Sequence, residues 1–240
     1  MGLGFVYLAL AFFHHRKWLL LVIAVLVAVN IHTSTIVIFA MILGIFYFSK
    51  KPINLWLSIP LYLFFAFVFD VSKMSFISDL LSKYVTLDSS FQSYIDNSDL
   101  WFGEDAIREQ YNQSTFALIM TSLFYISLFY LGYLALKARE NKHVLYLYNS
   151  VVLGVIMLRA VFNIELLRRF ANPLEMFYFI PLGYVFYIYY NDCKQPKNHD
   201  AILLKKYFPV GITFILVYLF MFWGRFIFLN PNADFFWYHF

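Results

Sequence analysis

Residues 159–184, RAVFNIELLRRFANPLEMFYFIPLGY, place three arginines and two glutamates between two of the most apolar stretches of the chain. Charge within a membrane is costly and is usually kept there for a purpose. Arg168 and Arg169 read as the end of one spanning helix. Asn172, Pro173 and Glu175 read as the start of the next, with Asn as N-cap, Pro at the first helical position and an acid at the third. Glu165 and Arg169 are spaced i, i+4 and can pair on one helix face. Such a pair either snorkels at the interface or belongs to a site, and the side of the membrane on which it falls bears on the choice.

Around this stretch, 62% of the residues are hydrophobic, 22% aromatic and 13% charged. With a mean hydropathy of +0.69, that is a surface no soluble domain of 240 residues would tolerate. The expected fold is all-α: a polytopic integral membrane protein of about eight transmembrane or half-membrane helices with one long extracytoplasmic loop. It is read as a single transmembrane domain over 1–240, with N-terminal helices in 1–71, the loop in 72–115 and C-terminal helices in 116–240. The net charge of +4 means little as a total, because location is what matters in such proteins, and no nucleic-acid partner is expected. Cys193 is the single cysteine, no Cys/His spacing suggests a metal site, and no cofactor is expected.

From the N-terminus, Gly2 to Phe13 is apolar but shorter than the roughly 20 residues of a span. Trp18 to Phe48 is too long for one span and is interrupted by Asn30, His32, Thr33, Ser34 and Thr35, which predicts a helical hairpin or two short helices meeting there. His32 at that tip is either a polar group satisfied in a tight turn or part of a polar site. Leu55 to Val71 is the next span. Ser72 to Thr115 is hydrophilic, with three bases against seven acids, and Phe76, Leu80 and Tyr84 recur as an amphipathic stripe. Trp101 in this segment either stacks on a sugar or belongs to an interfacial aromatic belt, and Asn112-Gln113-Ser114 matches a glycosylation sequon. Further spans are read at Phe116–Leu136, Leu145–Ile164, Leu174–Tyr190 with a kink at Pro181, and Tyr207–Leu229.

Every loop that this alternation places in the cytoplasm has a basic excess, and eleven of the eighteen Lys and Arg residues lie there, which orients the chain. Against that trend, Arg159, Arg168, Arg169 and Arg225 fall near the outer ends of their helices. Arginine keeps its charge in a low-dielectric site, and its planar fork binds phosphate or carboxylate bidentately. The four either snorkel to headgroups or hold an anionic substrate.

On two stretches the chain resembles the EpsG-like family of bacterial exopolysaccharide and O-antigen polymerases, a branch of the Wzy-type membrane proteins. LLVIAVLVAVNIHTSTIVIF, residues 20–39, is similar to the family's apolar run with a histidine and small hydroxyl residues at its middle, here His32 and Ser34. IELLRRFANPLEMFYFIPLGY, residues 164–184, is similar to its outer-face arginine followed by an aromatic-rich helix interrupted by proline, matching Arg168 or Arg169 and Pro181. Family members are usually longer at the N-terminus, so the resemblance implies the C-terminal part of such a protein, with part of the active site upstream.

The resemblance implies transfer of a growing glycan from undecaprenyl pyrophosphate onto the next lipid-linked repeat unit, at the outer leaflet of the cytoplasmic (inner) membrane. Its partners would be the undecaprenyl-pyrophosphate-linked glycan, membrane lipid and other polysaccharide export proteins. Arg168 and His32 are then the expected catalytic residues, and Arg159, Arg169, Arg225, Glu165, Glu175 and Trp101 the expected substrate-binding ones. An acceptor hydroxyl needs a general base, for which His32, Glu165 and Glu175 are candidates. Arg168 is favoured over Arg169, because Glu165 can engage Arg169 in a structural pair. Two other classes stay open. A transporter or flippase of lipid-linked sugars would need charges along a path to both faces, and a membrane-bound acyltransferase would need a cytoplasmic His/Asp constellation.

Overall fold

Trp18–Ile31 (α1) and Thr35–Phe48 (α2) carry apolar residues around their whole circumference, which leaves no face for water. At 1.5 Å per residue each is about 21 Å long, short of the roughly 30 Å hydrocarbon core, and the two pack on each other. The computed structural model describes residues 8, 9, 13, 15–31, 35–69, 114–162, 165–196 and 198–229, with backbone alone at 165–167 and 223–229. After α1 and α2 come Leu55–Phe67 (α3), Thr115–Ala138 (α4), Lys142–Ala160 (α5), Glu165–Glu175 (α6), Phe179–Asn191 (α7) and His199–Leu229 (α8). Helices α4 and α5 and the His199–Phe222 part of α8 are long and apolar enough to cross a membrane. Large apolar side chains face outward throughout, among them Trp56 at 89%, Tyr47 at 80% and Phe220 at 74% exposure. Together these make the chain an all-helical, polytopic membrane protein.

In one compact unit α1, α2, α3, α5 and α6 pack together. Its apolar centre joins Ala28, Ile38 and Ile42 to Leu174 of α6. Asn149, nearly fully buried in α5, accepts a hydrogen bond from the Ile53 N–H at 3.0 Å and donates one to the Lys51 carbonyl at 3.0 Å. One amide thus grips the connection between α2 and α3 on both sides of Pro52 and satisfies its own polar atoms.

In the other unit α4 and α8 run antiparallel, with Phe124 stacked on Tyr218 at 4.5 Å and Tyr130 edge-on to Tyr207 at 5.5 Å. The end of α4 is closed by polar contacts. Asn198 accepts from the Ala201 N–H as the cap of α8 and donates to the Ala138 carbonyl at 3.0 Å, while the Tyr184 hydroxyl donates to the Arg139 carbonyl at 2.6 Å. Hydroxyls within these helices bond back to carbonyls four residues earlier, as Thr121 does to Ala117 and Thr213 to Pro209, so no water is needed.

Several expectations from local patterns are corrected. The α1–α2 break is narrower than the polar run, because Asn30 lies inside α1 with its amide on the Leu26 carbonyl and Thr35 opens α2. Asn172, Pro173 and Glu175 do not begin a helix; they end α6, whose Ala171 and Leu174 are fully buried. Packing of that face outweighs a cap worth about 1 kcal/mol. Arg168 and Arg169 accordingly sit within α6 and not at the end of a span, since the preceding long helix stops at Ala160. Leu174–Tyr190 is likewise not one kinked span: turn residues 176–178 separate α6 from α7, and Pro181 falls in the first turn of α7, where its missing N–H costs nothing. Ser114 of the sequon is the N-cap of α4, its hydroxyl accepting from the Ala117 N–H. The stripe of Phe76, Leu80 and Tyr84 lies outside the described residues.

Candidate functional site

The buried stripe of α5 runs through Tyr148, Val152 and Val155 at helical spacing and ends in Arg159, a cation only 7% exposed. Its neighbour in space comes from α6. Gly154 makes that approach possible: a Cβ there would lie 2.6 Å from the Leu174 Cβ and 2.7 Å from the Glu175 backbone nitrogen, so only glycine admits α6 at this depth. Small residues at a helix crossing are the usual means of bringing two membrane helices so close.

With α6 seated there, Arg168 is half-buried and Arg169 is exposed. The guanidinium carbon of Arg159 lies 5.2 Å from the centre of the Phe162 ring, and that of Arg168 lies 5.1 Å from the same ring. The two cations are therefore separated by no more than those two distances together. Each gains attraction from the ring's negative face, about 0.5–1 kcal/mol at exposed sites and about 2 kcal/mol where water is excluded. At that largest separation, about 10 Å, and an effective dielectric near 20 their mutual repulsion is about 1.7 kcal/mol and grows at closer range, which favours an anion beside the pair.

Of the residues expected from the sequence, Arg159 and Arg168 are brought together and Arg169 points to the exposed side. Glu175, half-buried, lies on the stripe of α6 that carries Arg168, two helical turns further along, and ends the helix against Gly154. Glu165 opens α6 and Arg225 lies in the last part of α8, but their side chains are outside the description. His32 and Trp101 lie outside the described residues. Among the described residues no three His, Cys, Asp or Glu side chains gather as metal ligands.

Phe162, Gly154 and Asn149 were not singled out from the sequence. Phe162 follows Arg159 by three residues, a spacing that puts the two on one side of a helical turn and could have drawn attention to it. Asn149 is an amide amid the apolar residues of a spanning helix, which is itself a signal. Gly154 carries none, because only the partner helix reveals what a methyl group would strike.

Comparison with known proteins adds one finding. No curated protein and no solved structure matches the chain. The family model of the EpsG family, however, matches residues 2–240. A polytopic helical membrane protein with two arginines held on one aromatic ring, the chain belongs to the EpsG family.

Proposed function

We propose that this protein polymerises lipid-linked oligosaccharide repeat units into exopolysaccharide, capsule or O-antigen at the outer leaflet of a bacterial cytoplasmic membrane. Membership of the EpsG family supports polysaccharide biosynthesis as the process. The observation that carries the site is the convergence of Arg159 and Arg168 on Phe162. In the reaction, the bond from the donor's anomeric carbon to a phosphate oxygen breaks, and one to the acceptor hydroxyl oxygen forms. The acceptor's proton passes to a base, and undecaprenyl pyrophosphate leaves with one more negative charge. Two guanidinium groups beside that leaving group stabilise the developing charge more than the ground state, which is the condition for raising the rate. Glu175, near the α5–α6 contact, is a candidate base together with His32 and Glu165.

The test uses a polymerase-null strain complemented by the chain in a full-length context that restores polymer, reading glycan chain length on gels normalised to membrane protein level. Arg168→Ala should remove long polymer while insertion stays intact. A lost charge-assisted contact costs about 1.5–3 kcal/mol, or about ten- to over a hundredfold in rate. Arg168→Lys should restore only part, because it keeps the charge and loses the fork. Unchanged polymer in both Arg159→Ala and Arg168→Ala would end this reading, and lysine equal to arginine would assign both to headgroup snorkelling.

A further inference from the structure

Arg159 and Arg168 come from different helices on long, rotamer-rich side chains of like charge, yet both reach one ring. What they share is Phe162, in the turn that follows α5, where the Val161 N–H still bonds the Met157 carbonyl. The guanidinium carbons lie 5.2 and 5.1 Å from the ring centre. We propose that Phe162 is a positioning residue, its ring the platform that holds Arg159 and Arg168 as a pair so that each guanidinium takes one phosphoryl group of a single diphosphate.

The chemistry suits a diphosphate ester, a ligand with two phosphoryl groups joined through one oxygen, better than a single phosphate. Two planar forks no further apart than the two ring distances combined can each bind one phosphoryl group bidentately, whereas a single phosphate engages one fork only. The ring contributes no charge and no proton. Its role is to reduce the freedom the two side chains lose on binding, which is where preorganisation raises affinity. This inference rests on the diphosphate reading of the site given above and adds the residue that assembles it.

The experiment takes the full chain in lipid nanodiscs and titrates inorganic pyrophosphate by calorimetry, with orthophosphate as comparator. Phe162 is replaced by leucine and, through nonsense suppression, by mono-, di- and trifluorinated phenylalanine. The fluorinated rings keep shape and packing while draining the negative face of the ring, so they separate positioning from folding. The expected result is that wild type prefers pyrophosphate to orthophosphate. Phe162→Leu should bind pyrophosphate about tenfold or more weakly, as two cation–ring contacts are lost together, and affinity should fall stepwise with each fluorine at an unchanged melting temperature. Wild-type pyrophosphate binding across the fluorinated series overturns the platform and leaves the polymerase reading standing. No pyrophosphate binding by wild type overturns both.

Discussion

Gly154→Ala puts one methyl group where α5 meets the end of α6, and the structure says what that methyl strikes. The new Cβ would stand 2.6 Å from the Leu174 Cβ, 2.7 Å from the Glu175 nitrogen and 2.9 Å from the Leu174 carbonyl carbon. Ordinary contact between carbon atoms is about 3.5–4.0 Å, so α6 must retreat by about 1 Å. No rotamer change relieves it, because two of the three atoms are backbone. Leu174 is also fully buried against Ala28, Ile38 and Ile42, so retreat opens a second contact. Overpacking of this kind costs about 1–3 kcal/mol, against about 1 kcal/mol regained from alanine's better helix propensity. Because α6 carries Arg168, a shift of about 1 Å also displaces it from Arg159, and misplacement on that scale can cost about a hundredfold in rate. The assay pairs thermal unfolding of the purified protein with glycan chain length in cells. Gly44→Ala is the control, since nothing lies within 4 Å of its added Cβ, and it should be neutral or slightly stabilising. Should Gly154→Ala melt at or above wild type and still make full-length polymer, the close approach of α5 and α6 is not what places Arg168.

Asn149→Leu should destabilise by about 1–3 kcal/mol, because the Ile53 N–H and the Lys51 carbonyl both lose their partner; wild-type melting in this variant would remove the clamp from the account. Asn198→Ala should cost about 0.5–2 kcal/mol through loss of the α8 cap and the bond to the Ala138 carbonyl, while Asn198→Asp should retain the cap and lose only the donor; equal melting of the two variants would contradict that division. Cys193 is buried with its thiol on the Ala201 carbonyl, and burial, with Asp192 adding and Lys205 opposing, pushes that thiol above the ordinary 9.0. The folded state therefore holds the thiol proton more tightly than the unfolded chain, which leaves stability unaffected near neutral pH and lowers it as pH climbs from the ordinary thiol value toward the raised one. Native Cys193 should thus stay unlabelled by maleimide at pH 7 even in opened membranes, and rapid labelling there would show the site to be open. For the same reason orientation must be read with Lys194→Cys, exposed beside it, against Ser98→Cys. Impermeant reagent on intact cells should reach position 98 and spare 194, and the reverse pattern would invert the assigned topology.

The membrane class and most of the apolar segments follow from the sequence alone. So do the interruption between α1 and α2 and the basic excess from which an orientation is expected, because composition and charge location act residue by residue, whatever packs nearby. Arg168 is half-buried and Arg169 exposed, while the side chain of Glu165, on which the preference between them depends, is outside the description. What the tertiary structure decided is the fate of Asn172, Pro173 and Glu175. A local cap signal there competed with Leu174, and the fully buried leucine prevailed because its contacts come from α2 and α5, more than a hundred and some twenty residues earlier in the chain. Phe162 became visible in the same way. It follows Arg159 by three positions, but Arg168 reaches it only because Gly154 lets α6 settle against α5, and no local pattern encodes the distance between two helices.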